Sequence, residues 1–143
     1  DVSSDEGVLC APLEVSRGLA VGDLDRDGDL DVVITNAMGP ARIYENVAPR
    51  RGHWLRVDVV DEKLRRAVHG AVVWVVAGER RWRRSVSPQA SYLSSSEIAL
   101  HFVIGDATRI DAIEVRWPGG ARETFDGGAV DRAITLVRGK GRR

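Results

Sequence analysis

The chain has 143 residues and a formal net charge of zero, because 21 lysines and arginines balance 21 aspartates and glutamates. No apolar run reaches the length of a membrane span, and a single cysteine, Cys10, excludes an internal disulfide framework. The charge is unevenly distributed: residues 1–49 contain ten acidic residues and three arginines, a net of −7, so residues 50–143 carry +7. This asymmetry indicates two units of different chemistry, with a boundary near Pro49.

The first unit is predicted to contain about three short strands. β-branched and apolar residues place them near residues 18–21, 31–35 and 42–46, whereas residues 1–16 show no clear alternation. Three strands cannot bury both faces of a sheet. We therefore expect this unit to be one repeat of an array whose other repeats lie outside this sequence.

The second unit shows strand patterns along nearly its whole length. Apolar and polar residues alternate in three segments, 55–59, 98–104 and 113–117. The segment "VVWVVAG" (72–78) is apolar on both faces, as in a central strand, and a last strand is predicted at 134–137. Many short strands separated by frequent turns predict an all-β fold, with a β-sandwich or barrel over residues 50–143.

Three local features of this unit make further predictions. The sequence "WPGGAR" (117–122) predicts a hairpin turn, because Pro-Gly-Gly interrupts two alternating runs. A short helical pattern is confined to residues 61–67. Trp54 and Trp117 fall on apolar strand faces, so we expect both in the core.

The stretch "GDLDRDGDLDVV" (22–33) raises the main functional question. Five aspartates stand at alternate positions in nine residues: Asp23, Asp25, Asp27, Asp29 and Asp31. Crowded carboxylates repel one another, and a hard divalent cation such as Ca²⁺, which takes six to eight oxygen ligands, would offset the repulsion. Counted from Asp23, side-chain carboxylates stand at positions 1, 3, 5 and 9, Gly28 at position 6 permits a sharp turn, and Asp29 at position 7 would offer its backbone carbonyl.

An EF-hand is excluded, because that loop needs a glutamate at position 12 and helices on both sides. Position 12 is Ile34, and the flanking residues are strand-like. Closure of the site by Asp31 instead predicts a metal loop between two antiparallel strands. The alternative is a solvated acidic turn that binds no specific ion.

The segment "RGLAVGDLDRDGDLDVVITNAMGPARIYEN" (17–46) resembles an FG-GAP or VCBS-type repeat, a calcium-loop unit of β-propellers. The segments "GHWLRVDVV", "HGAVVWVVAGERRWRRSV", "SYLSSSE" and "LHFVIGDATRIDAIEVRWPGG" then follow in the order of ASPIC/UnbV domains. The resemblance implies the C-terminal part of a cartilage-acidic-protein-like secreted protein. It also implies a partial β-propeller repeat in residues 1–49, an ASPIC/UnbV-like β domain in residues 50–143, and Ca²⁺ held by the five aspartates named above.

The function this implies is a calcium-binding extracellular module whose β domain presents a surface to a protein or an anionic glycan. The expected location is extracellular, or periplasmic or on the cell surface in a bacterium, and the expected partners include the missing propeller repeats. The alternative is an accessory or glycan-binding module of a secreted enzyme with a propeller domain. No catalytic constellation is visible, since there is no G-x-S-x-G elbow and no histidine pair at metal-ligand spacing.

The run "ERRWRR" (79–84) is the part of the sequence on which a glycan-binding alternative would rest. Its four arginines are Arg80, Arg81, Arg83 and Arg84. Strand alternation would instead place Arg81 and Arg83 on one exposed face and Trp82 on the other. For a secreted module an acidic polysaccharide is the expected polyanion, and no nucleic-acid partner is expected.

Overall fold

The computed structural model describes residues 14–49, 51–87 and 89–143, and all its regular elements are β-strands. The predicted all-β class is therefore confirmed. Cys10 and the first residues, for which no alternation was predicted, lie outside the described ranges. The described part of the chain contains no helix with the length and apolarity that a membrane crossing requires.

The first sheet has three antiparallel strands in the order β1-β2-β3, and these agree with the three strands predicted from the sequence. The strands are β1 (Ser16–Gly22), β2 (Asp31–Asn36) and β3 (Arg42–Tyr44). Gly22 at the end of β1 is paired with Asp31 at the start of β2, so the aspartate stretch forms the connection between them. The predicted loop between antiparallel strands is confirmed.

The rest of the chain forms two larger sheets and a small hairpin. One sheet has the order β10-β4-β13, with β5 paired to β4, and the other has the order β12-β11-β6-β7. The strands are β4 (His53–Asp61), β5 (Arg66–Ala67), β6 (Val72–Ala77), β7 (Arg80–Ser85), β8 (Gln89–Ser91), β9 (Ser94–Ser95), β10 (Leu100–Gly105), β11 (Arg109–Arg116), β12 (Arg122–Ala129) and β13 (Arg132–Val137). The hairpin pairs β8 with β9.

The two larger sheets share one apolar core and form a β-sandwich. Leu55 and Val57 of β4, Phe102 of β10, and Val75 and Ile113 of the facing sheet are at most 1% exposed and belong to one packed cluster. The alternation predicted for β4, β10 and β11 explains this core, because every second side chain of a strand points to the same face. β6 lies between β7 and β11, as its continuous apolar character predicts.

Two local predictions for the sandwich have different outcomes. The hairpin over 117–122 is confirmed, because Trp117 N–H donates to the carbonyl of Ala121 at 2.8 Å and Gly120 N–H donates to the carbonyl of Trp117 at 3.0 Å. The helical pattern at 61–67 is wrong: a turn follows Asp61, and β5 then pairs antiparallel with β4. Strand pairing supplies the backbone hydrogen bonds that an isolated helical turn would lack.

Candidate metal centre

The loop between β1 and β2 is shaped by its own aspartates. Asp25 Oδ1 accepts a hydrogen bond from Asp27 N–H at 3.1 Å, and Asp27 Oδ1 accepts one from Asp29 N–H at 2.8 Å. Aspartate side chains favour such turns because they can bond to the backbone two residues on. Arg26 and Gly28 have positive φ angles of 66° and 100°. The backbone therefore adopts a left-handed conformation at two positions between the aspartates.

Three of the predicted ligands converge at this loop. One carboxylate oxygen from each of Asp23, Asp25 and Asp27 lies within 4.8 Å of the other two. Asp25 and Asp27 are exposed, whereas Asp23 is only 8% exposed and neither of its oxygens has a hydrogen-bond partner among the residues that the structure describes. A buried carboxylate without a partner is costly. This set of oxygens therefore fits a hard cation.

The other two predicted ligands, Asp29 and Asp31, make hydrogen bonds within the repeat. Asp31 is 3% exposed and lies outside the cluster of three carboxylates. Its Oδ2 accepts Leu24 N–H at 2.9 Å, and its Oδ1 accepts Asn46 N–H at 2.9 Å, so it fastens the start of the loop to the residues after β3. Asp29 follows Gly28 in the turn and donates its N–H to Asp27. Each oxygen of Asp31 keeps a second lone pair that a metal can use.

The tip of the loop rests on the sandwich through Gly28. A Cβ atom added at Gly28 would lie 2.2 Å from Cε2 of Trp54, so only glycine allows this approach. The Trp54 ring in turn stacks on His101, with ring centroids 5.8 Å apart. Trp117 is core, as predicted, but the prediction for Trp54 is wrong, because Trp54 is half-buried beneath the loop and outside the core cluster.

Glu97 connects the start of the loop to the sandwich. Its Oε2 accepts Asp23 N–H at 3.1 Å, and its Oε1 accepts the Nε–H of Arg56, a β4 residue, at 2.9 Å. The backbone N–H of Glu97 also donates to the carbonyl of Val21 at 3.0 Å. The loop residue Asp23 is thereby joined to β4 through one carboxylate.

The contacts of Arg56 with Glu97 and Asp58 stabilise its positive charge. Its partial burial opposes the charged form, but hydrogen bonding to Glu97, the nearby charge of Asp58 and the bond to Asp58 outweigh that effect and raise the pKa of Arg56. Arg56 therefore remains a cation. It balances Glu97 directly beside the acidic loop.

Sequence reasoning missed Glu97 and the role of Trp54. Glu97 N–H meets β1 more than 70 residues away in sequence, and no spacing rule connects the two segments. The neighbouring Ser96 adds to this contact, since its Oγ accepts Val21 N–H at 3.2 Å. The alternation of Trp54 with its neighbours indicated a buried face without indicating which element covers it.

Comparison with known families agrees with this two-part organisation. The model of the FG-GAP repeat matches residues 17–48, which contain the three-stranded sheet and its aspartate loop. The model described as ASPIC and UnbV matches residues 61–143, which contain most of the sandwich. No curated protein matches the chain at a significant level. The match to the ASPIC and UnbV model covers more than half of the chain, so the chain belongs to the ASPIC and UnbV family, with an FG-GAP repeat preceding the family domain.

Proposed function

We propose that this chain is a calcium-binding structural and interaction module of an extracellular protein. The observation that carries the proposal is the buried carboxylate of Asp23, which has no hydrogen-bond partner among the described residues and faces two further carboxylates. Asp25 and Asp27 each bring a carboxylate oxygen within 4.8 Å of Asp23, and their side chains also accept backbone N–H groups of the loop. Ca²⁺ favours carboxylate and carbonyl oxygens of this kind, and Asp29 and Asp31 lie next in the loop to add to them.

The proposed role of the metal is structural. A bound divalent cation would neutralise the clustered carboxylates and stabilise the turn. Two contacts join the aspartate loop to the sandwich: Glu97 accepts the N–H of Asp23, and Trp54 lies against Gly28. A loop whose shape is fixed by the metal would be held against the sandwich by these contacts. We propose no catalytic activity for this site.

The order of the two parts supports a place near the C-terminus of a cartilage-acidic-protein-like secreted protein. FG-GAP repeats are units of arrays, and the three-stranded sheet leaves Leu19 and Ile43 42% and 69% exposed. Further repeats of a propeller would cover such side chains, because an array buries its apolar faces between neighbouring units. We propose an extracellular location, or a periplasmic or surface location in a bacterium.

Calorimetric titration with Ca²⁺, accompanied by thermal melting, tests the metal site. The parent chain should bind Ca²⁺ saturably and melt at a higher temperature with Ca²⁺, because a ligand at 100 times its Kd stabilises the folded state by about 2.7 kcal/mol. The variant Asp25→Ala, Asp27→Ala should lose both effects. A control variant, Asp106→Ala, Asp126→Ala, removes two exposed carboxylates of the sandwich and should retain both. A folded parent chain that does not bind Ca²⁺ would contradict the proposal.

A further inference from the structure

The outward face of the sheet β12-β11-β6-β7 gathers arginines that are far apart in the sequence. Register pairs place side chains on the same face, so Arg83 stands beside Trp74, and Arg116 stands beside Arg122. Strands β7, β11 and β12, together with the residue bridged to Thr124, contribute five arginines: Arg81, Arg83, Arg116, Arg122 and Arg142. We call these five residues and Trp74 the arginine face.

The acidic residues on this side are already engaged. Glu114 pairs with Arg81, whose guanidinium also lies 5.0 Å from the centroid of the Trp74 ring. Asp126 pairs with Arg142 at 2.7 Å. The other three cations of the arginine face, Arg83, Arg116 and Arg122, are exposed and form no ion pair with another described residue. The face therefore carries an uncompensated charge of about +3.

One register pair of the arginine face places two positive charges directly opposite each other. Arg116 and Arg122 are direct cross-strand partners beside the hairpin turn, so their Cβ atoms are about 5 Å apart. Like charges in directly opposed positions destabilise a sheet. An anion between the two guanidinium groups would remove the repulsion and accept hydrogen bonds from both.

The arginine face continues into a charged cleft at Arg122. The cleft has a volume of about 940 Å³, and five basic and three acidic side chains line it. Two of the acids are occupied, since Asp61 pairs with Arg138 and Glu123 accepts the N–H groups of Gly139 and Gly141. Lys63 and Lys140 line the same cleft as Arg122 and add two further positive charges. A basic track thus crosses roughly 15 Å of sheet, from β7 to β12, before it enters the cleft.

We infer that the arginine face and the adjoining cleft bind a linear acidic polysaccharide. An open sheet face suits an extended polymer, and planar guanidinium groups match sulfate and carboxylate groups in bidentate geometry. The choice of a polysaccharide as the polyanion rests on the extracellular role proposed above. The structure also revises the glycan-binding alternative for the run 79–84. Arg80 and Arg84 pair in register with Ala77 and Val73 of β6, so they belong to the opposite face of the sheet from Arg81 and Arg83.

Binding of a heparin octasaccharide, measured by calorimetry, tests the inference. The variant Arg83→Gln, Arg116→Gln, Arg122→Gln should weaken the Kd at least about tenfold, since it removes three charge-assisted contacts. The variant Arg17→Gln, Arg80→Gln, Arg84→Gln removes three exposed arginines that lie outside the arginine face and the cleft, for the same change in net charge. This control should bind within about twofold of the parent, and thermal melting of both variants verifies that they fold.

Three results would overturn the inference. They are unchanged binding by the variant of the arginine face, an equal loss in the control variant, and tighter binding of single-stranded DNA with the same number of charges. The titrations are run in Ca²⁺ and in a chelator. Failure of the calcium proposal would appear as absent Ca²⁺ binding in the parent chain, whereas failure of the polysaccharide inference would appear only in the comparison of the arginine variants.

Discussion

The two parts of this chain are stabilised by opposite means. In the described residues 14–49, the buried positions are Gly22, Asp23, Gly28 and Asp31, all of them in or beside the aspartate loop. The sandwich instead buries a cluster of large apolar side chains that includes Phe102, Ile113 and Trp117. A small sheet without an apolar core needs another source of order. The comparison indicates that the carboxylates of the aspartate loop, and the cation proposed to bind them, matter more to the repeat than to the sandwich.

The largest effect that would sharpen this comparison is expected in the sandwich. Phe102→Ala should lower its free energy of unfolding by about 3–5 kcal/mol, because Phe102 is 1% exposed and the truncation leaves a cavity. Ile43→Ala in the repeat should cost no more than about 0.5 kcal/mol, because Ile43 is 69% exposed. Urea unfolding measures both. Equal losses would show that the repeat has an apolar core comparable to that of the sandwich.

The next effect concerns the seat of the loop on the sandwich. Gly28→Ala should cost about 2–4 kcal/mol, because the new methyl group would meet Trp54 and the backbone keeps a φ of 100°. Gly119→Ala is a matched control, since Gly119 has a φ of 91° and no atom within 4 Å of the added methyl group.

Thermal melting of the two glycine variants separates backbone strain from steric conflict. If the loop and the sandwich are packed as described, Gly28→Ala should lose clearly more stability than Gly119→Ala. The excess should disappear in a Trp54→Ala background. Similar losses for both variants would mean that the two units do not pack together through Gly28.

A smaller effect is expected at the polar junction. Glu97→Gln should destabilise the chain by about 1–3 kcal/mol, because the charge-assisted bond to Arg56 and the bond from Asp23 N–H both weaken. Glu114→Gln removes an ion pair with Arg81 on the open sheet face and should cost at most about 1 kcal/mol. Chemical denaturation of both variants provides the measurement. A Glu114 variant as damaged as the Glu97 variant would contradict the assigned importance of the junction.

The smallest effect depends on pH and lies in the repeat. Hydrogen bonding to Arg42 lowers the pKa of Glu14 below its ordinary value of 4.5. Since the pKa is lower in the folded chain, the pairing stabilises the fold above pH 4.5 and loses its effect as the pH falls through the lowered pKa. The melting temperature of Glu14→Gln should therefore fall slightly below that of the parent at pH 6, and the difference should be smaller at pH 3. A difference that is the same at both pH values would contradict this assignment.

The features that could be predicted from the sequence are those that depend on residues close together in the chain. Strand alternation and the Pro-Gly-Gly turn depend on neighbours in sequence, so the core face and the hairpin at 117–122 were predictable. The convergence of Asp23, Asp25 and Asp27 was predictable for the same reason, because all three lie within one loop. The helical pattern at 61–67 failed because pairing with β4 determines the structure of that segment.

The junction and the arginine face could not be predicted in this way. Glu97 reaches Asp23, and Trp54 reaches Gly28, only after the two units have packed together. Arg116 and Arg122 are neighbours through the hairpin, but Arg83 reaches the same face through pairing of three strands. Local periodicity predicts which face of a strand a residue occupies and carries no information about the partner of that face.

The pairing of the first and last strands of the sandwich has a mechanical consequence. β13 runs parallel to β4, with six register pairs from Arg132 beside Leu55 to Val137 beside Val60. A tensile load applied through the repeat pulls on the beginning of β4, and a load applied after β13 pulls on the opposite end of this ladder. Because the strands are parallel, the ladder is sheared along its length, and its hydrogen bonds share the force instead of opening one after another. The sandwich is thus built to resist stretching along the chain.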